Sequence, residues 1–241
     1  MKIKPTLKYQ LHENFKSLIY FYLSITAVTS MLGIFAISML SGSGVVSMTH
    51  EITSAIYVFI LALCSFKEYF HFFVQNGISR KTFFVSTLIS MLISVFAISI
   101  IDQIFYCASF FITRGITNYS VFSITHLNTG DVFVFSPSGV AAYFCVLLAI
   151  YSLGSFMTLV FYRLQKRWKF LAAVSIPVVF SIVHLSSNTS TPLGNALYRL
   201  IVGLASFATS SVPAMITVAL SAAAILLAGS WLLSRRAPVK V

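Results

Sequence analysis

The chain has 241 residues, of which 58% are hydrophobic and 9% charged, with a mean hydropathy of +0.93. The net charge of +11 has little soluble face to sit on, which excludes a nucleic-acid-binding domain as the reason for it. Membrane spans of about 20 residues and their connections consume nearly all of the length, so the sequence predicts an all-α, polytopic membrane helix bundle forming a single domain over 1–241.

Six long apolar stretches set the predicted order. Of the 16 Lys and Arg, all but Arg114 and Arg199 fall on one side of those six stretches. Cations in short loops are retained in the cytoplasm, so both termini are predicted to be cytoplasmic. Residues 1–16 place Leu7, Leu11, Phe15 and Leu18 on one helical face and Lys4, Lys8, His12 and Lys16 elsewhere, with Pro5 in the first turn. That pattern is a short amphipathic helix at the cytoplasmic surface beside anionic headgroups, or a positive-inside flank. Span one covers about 17–40 and is read as a retained helix, since no small-residue cleavage pattern follows it.

Span two covers about 52–66. Lys67 and Glu68 then mark a return to water, yet Phe66, Phe70 and Phe73 continue along one face, so the helix is predicted to project beyond the bilayer. An apolar face in the cytoplasm is a liability unless something buries it, and the sequence leaves that cover to a partner protein. Asn76 and Gly77 tolerate positive φ and end the helix, and Ser79 caps a new one beginning at Arg80. The segment 67–81 is therefore a tight cytoplasmic elbow.

Span three covers about 82–101 and is closed on the outer side by Asp102. The connection 103–136 is long; its first part, Ile104 to Ile112, is apolar enough to continue the helix or to lie at the interface, and its second half is turn-rich. Pro137 precedes span four, about 138–162, and a basic loop follows with Trp168 as an interfacial anchor. Span five covers about 170–187, with a kink at Pro177. Between it and span six, about 212–233, the apolar segment 197–208 is too short to cross, which predicts an outer re-entrant hairpin. In span four Ser152, Gly154, Ser155 and Thr158, and in span three Ser86, Thr87 and Ser90, suit close helix contacts and equally the lining of a path.

Catalytic patterns are missing. The sequence has no phosphate-binding Gly-rich loop ending in Lys-Ser or Lys-Thr, no paired His with an intervening Glu, and no Gly-x-Ser-x-Gly elbow. His12, His50, His71, His126 and His184 are spread over different elements, and Cys64, Cys107 and Cys145 are too scattered for a metal or disulfide framework. The sequence thus reads as a non-enzyme with no cofactor or metal of its own. Glu13, Glu51, Glu68 and Asp131 lie outside the predicted spans, and Asp102 borders one as an interfacial residue with a partner or water, which leaves little for an ion relay.

The stretch Phe73-Val74-Gln75-Asn76-Gly77-Ile78-Ser79-Arg80-Lys81-Thr82-Phe83-Phe84 resembles the elbow "aromatic-x-x-x-Gly-x-Ser-Arg-Lys-x-x-Phe" between the second and third helices of type-two ATP-binding-cassette (ABC) exporter permeases. It is most similar to small bacterial ones linked to peptide export and self-protection against antimicrobial peptides. The resemblance implies a permease subunit in a bacterial plasma membrane, paired with a second copy or a related permease. It further implies that a separate ABC ATPase subunit binds the ATP. In such a permease the elbow seats on that ATPase, so Phe66, Glu68, Phe70, Phe73, Gly77, Ser79, Arg80 and Lys81 become the coupling residues. The cargo implied by a Phe-rich interior is an amphipathic peptide or a lipid-like compound. Two rival readings are a self-contained secondary transporter or channel, sensitive to Asp102→Asn, and a non-transporting immunity or scaffold protein.

Overall fold

The computed structural model describes residues 3–39, 46–48, 50–113, 119–121, 137–164, 203, 206–207 and 211–235. It is helical: α1 spans Ile3–Met39, α2 His50–Gln75, α3 Arg80–Thr113, α4 Pro137–Arg163 and α5 Val212–Arg235. Two three-residue strands, β1 (Val46–Met48) and β2 (Tyr119–Val121), pair in parallel with Val46 opposite Tyr119. Predicted span five and the re-entrant hairpin fall outside the described residues.

Three of the helices are long and apolar enough to cross a membrane, over Arg80–Ala108, Pro137–Arg163 and Val212–Arg235, and His50–Phe66 is a shorter apolar helix. Their termini follow local chemistry. Pro137 opens α4 at a first-turn position whose N–H has no helical partner to lose. Ser211 caps α5, its Oγ accepting from the Ala214 N–H at 3.4 Å, with Pro213 inside the first turn.

Two boundaries differ from the sequence reading, those of the first and third helices. Residues 3–39 form one uninterrupted helix, so the surface helix and span one are not separate elements. As the sequence reading expects, α2 continues past the charged pair Lys67 and Glu68 and ends at Gln75, with its aromatic face covered within the fold. Asp102 does not close α3; the helix runs eleven residues further, to Thr113.

The directions of the helices follow from their cross-contacts. Gln10 meets Thr87 and Tyr22 meets Asp102, so α1 and α3 run parallel. Phe66 and Phe73 both reach Phe83 while Ser54 reaches Asp102, so α2 returns antiparallel to α3. The Thr158 hydroxyl donates to the Leu63 carbonyl at 3.2 Å and Tyr143 meets Glu51, which sets α4 parallel to α2. Phe156 lies against Gly229, and Arg163 lines the same surface hollow as Arg235, so α4 and α5 run in the same direction. Arg80, Arg163 and Arg235 thereby gather at one end of the bundle, and Glu51 and Asp102 lie toward the other.

Between these helices Val58, Ala62, Met91, Ile98, Leu147 and Tyr151 form the main buried cluster. Lipid tails are as apolar as such side chains, so close packing, not exclusion from water, holds the helices together. Gly154 is the tightest point: a Cβ there would meet the Ala62 Cβ at 2.8 Å and the Phe59 carbonyl oxygen at 3.0 Å. Of the small residues in span four, Gly154 and Thr158 serve helix contact. Gly154→Val should force α2 and α4 apart at a cost of about 1–3 kcal/mol. A thermal melt of the detergent-solubilised protein checks this: a lower Tm is expected, and an unchanged one contradicts the close approach.

Candidate functional site

Two constellations stand out, one at each end of the bundle. At the basic end the chain turns from α2 into α3. Gly77 is at φ +73°, the left-handed region where a Cβ is disfavoured. The Ile78 N–H donates to the Phe73 carbonyl at 3.0 Å and the Gly77 N–H to the Val74 carbonyl at 3.1 Å. That pair of bonds satisfies the last carbonyls of α2, and Ile78 packs beside Phe73 as the motif requires. The Asn76 side-chain amide adds a bond to the Phe72 carbonyl at 2.7 Å. Two residues later Ser79 caps α3: its Oγ accepts from the Thr82 N–H at 3.3 Å, and its carbonyl accepts from the Phe83 N–H at 2.9 Å. The turn is thus closed from both sides, at the positions where the sequence puts a stop and a cap.

The aromatic face is where the sequence argument needs correction. Phe66, Phe70 and Phe73 are buried, and the cover is intramolecular: Phe83 of α3 and Leu159 and Tyr162 of α4. Phe66 and Phe70 stack at 5.2 Å, and each meets Phe83 and Tyr162 edge-on at 5.5–6.1 Å. The inference that an outside partner must bury these rings therefore falls. What stays accessible is the turn itself, with Asn76, Gly77, Ser79 and Lys81 exposed and Arg80 half-buried. The Arg80 guanidinium donates to the Arg235 carbonyl at 3.2 Å, tying the start of α3 to the end of α5. Glu68 sits in the last third of α2, and its side chain is outside the described residues.

The second constellation was missed. Asp102 is only 2% exposed and joins four helices. Its Oδ1 accepts from the Tyr22 hydroxyl of α1 at 2.6 Å and from the Ser54 hydroxyl of α2 at 2.8 Å. Its Oδ2 accepts from the Tyr143 hydroxyl of α4 at 2.8 Å, and that hydroxyl also lies 2.9 Å from the Glu51 carbonyl oxygen. The carboxyl has protein partners, one of the two options the sequence reading left open, but it lies inside the bundle, where the hub's polar atoms are satisfied by one another. The one available signal was a lone Asp followed by more apolar helix, since nothing in the spacing identifies Tyr22, Ser54 and Tyr143 as its partners.

A polar seam continues from this hub toward the basic end. Thr6, Gln10, Asn14 and Leu18 form the buried face of α1; Leu18 is inward as the sequence reading expects, whereas Leu7, Leu11 and Phe15 give way to Thr6, Gln10 and Asn14. Gln10 donates to Thr87 at 3.0 Å, and Asn14 donates to Ser90 at 3.1 Å and to Ser94 at 3.3 Å. Asn14 in turn accepts from the Tyr69 hydroxyl at 3.2 Å. Thr87 and Ser90 of span three, with Ser94, therefore hold α1, while Ser86 bonds within its own helix to the Phe83 carbonyl. Among the described residues no group of three His, Cys, Asp or Glu side chains could hold a metal ion. Cys64, Cys107 and Cys145 are all free thiols.

Three membrane-length apolar helices, a cationic end and hydroxyl-to-carboxyl bonding between helices define an integral membrane protein of the helical class. Neither a family model nor a curated protein nor a solved structure matches the chain.

Asp102→Leu should leave the Tyr22 and Ser54 hydroxyls without their acceptor, at about 1–3 kcal/mol for each one left unpaired, while Tyr143 keeps the Glu51 carbonyl. In detergent the variant is expected to melt well below wild type. Asp102→Asn, which retains an acceptor oxygen for Tyr22 and Ser54, should fall between the two. A Leu variant as stable as wild type would remove the hub from the account.

Proposed function

We propose that this chain is the permease subunit of an ABC exporter in a bacterial plasma membrane. Its cargo is an amphipathic peptide or a lipid-like compound, and its energy comes from ATP bound and hydrolysed by a separate ATPase subunit. The supporting observation is the turn 76–81: accessible, locked by caps on both sides, and set at the basic end of the bundle. A turn that bends under load would dissipate a push. This one is backed by the Phe66, Phe70, Phe73 and Phe83 rings, so a displacement at Gly77 passes directly into α3 and α4.

The self-covered aromatic face gives these residues a new role within the same reading. Phe66, Phe70 and Phe73 stiffen the lever from inside, and Lys81, Arg80 and Ser79 supply the surface that meets the ATPase, with charge orienting the encounter. Six spans with both termini cytoplasmic fit helix directions in which α4 and α5 run the same way, with span five returning between them and a re-entrant hairpin completing the outer side. A second copy of the chain, or a related permease, completes the path.

Asp102 favours one alternative, a self-contained transporter coupled to an ion gradient, since a carboxyl buried among spans is where such coupling is built. The two readings separate in proteoliposomes. With the ATPase present, Lys81→Glu changes an exposed side chain and leaves the caps intact; it is expected to reduce cargo-stimulated ATP hydrolysis at least about tenfold, the loss of about 1.4 kcal/mol of coupling. Unchanged stimulation would remove the elbow from the mechanism. Gradient-driven uptake by the chain alone, abolished by Asp102→Asn, would replace the exporter reading with the transporter.

A further inference from the structure

The outward face of α1 carries charge well inside the length of the bundle. α5 has 24 residues and so measures about 36 Å, close to the thickness of a bilayer core of about 30 Å with its margins. Its last residue is tied to Arg80, and α4 ends beside it at Arg163. Along α3 from Arg80, Thr87 lies about 10 Å inward and Ser94 about 21 Å inward. Gln10 is bonded to Thr87, and Asn14 to Ser90 and Ser94, so that part of α1 is carried to the same depths.

Lys4, Lys8, His12 and Lys16 recur every fourth residue on α1, and all four are exposed. Glu13 beside them is half-buried. Lys16 lies about 20 Å along the bundle from the basic end, farther than its flexible stem reaches back. At the same level α3 turns Leu92, Ile93 and Phe96 outward, an ordinary lipid-facing set. Two sides of one bundle level thus differ: α3 is oily, and α1 is cationic. Charged groups at membrane depth face either the bundle interior or water, and the exposed face of α1 is not the interior.

We propose that this face of α1 is a hydrated wall that takes the anionic headgroup of a phospholipid from the surrounding membrane. Charge complementarity selects the headgroup, since three lysines stand against one partly covered carboxylate. The tail has a place as well: Ile19, Tyr20 and Leu23 continue the same helical face beyond Lys16, and each is more than 60% exposed. The site is independent of the ATPase coupling proposed above, because it rests on the depth of α1 and not on the elbow.

The test uses the full chain with Cys64, Cys107 and Cys145 replaced by Ala, carrying a single cysteine, in nanodiscs of phosphatidylcholine or of phosphatidylglycerol. The probe is a membrane-impermeant cationic thiosulfonate, and rates are taken relative to Gln75→Cys at the exposed end of α2. In phosphatidylcholine, His12→Cys should react at a rate comparable to that reference while Ile93→Cys stays unreactive. In phosphatidylglycerol the relative rate at position 12 should fall about tenfold, the protection given by lipid at about nine times its dissociation constant. Adding Lys8→Gln and Lys16→Gln should abolish that protection. An unreactive His12→Cys overturns the hydrated wall. A reactive Ile93→Cys overturns it too, because the whole level would then lie in water. Equal relative rates in the two lipids, or protection that survives loss of both lysines, overturns the anionic ligand.

Discussion

The contact between α1 and α3, drawn as a line of polar bonds from Gln10 and Thr87 at one end to Tyr22 and Asp102 at the other, sets the geometry on which the other helices depend. In lipid the hydrophobic effect does not choose between one helix register and another, because every register exposes apolar side chains to apolar tails. Hydrogen bonds do choose. Slipping α1 by one residue would rotate it by about 100° and turn Gln10, Asn14 and Tyr22 away from their partners together. Asp102 extends the same constraint to α2 through Ser54 and to α4 through Tyr143, so a single carboxyl aligns four helices.

At the opposite end, stiffness comes from a different source. The α2–α3 turn is fixed by a left-handed glycine, paired carbonyl caps and a serine cap, and it rests on a packed group of rings. α5 is joined to it through the Arg80 bond to the Arg235 carbonyl and the contact of Phe84 with Trp231 at 4.9 Å. A polar hub that fixes register and an aromatic base that fixes an accessible turn make a bundle able to move as a body. In the proposed permease, that property would carry a push on the turn into the bundle.

Legibility in the sequence followed the range of the forces. The turn at Asn76-Gly77-Ile78-Ser79 is local chemistry, and the ends of α4 and α5 are marked by Pro137, Pro213 and the basic residues that follow, so both could be read directly. The cover of Phe66, Phe70 and Phe73 could not, because it depends on Phe83 and on Leu159 and Tyr162, up to about a hundred positions along the chain. The face of α1 was read with the wrong residues inward. Apolar periodicity points to Leu7, Leu11 and Phe15, whereas the structure buries Thr6, Gln10 and Asn14, and the Gln10 and Asn14 amides donate to α3 hydroxyls that happen to lie at matching spacing. Periodicity assumes that polar groups seek water; here they find each other. Asp102 was discounted for the same reason, since its partners lie on three other helices.

The upright docking of α1 along α3 is tested most directly by disulfide trapping. In a chain freed of its native cysteines, Gln10→Cys with Thr87→Cys should oxidise within one molecule in native membranes, and Lys8→Cys with Thr87→Cys should not, since Lys8 faces outward. Failure of the first pair to form, or equal formation of both, would mean that the amino-terminal helix lies elsewhere and that the polar seam does not hold the bundle.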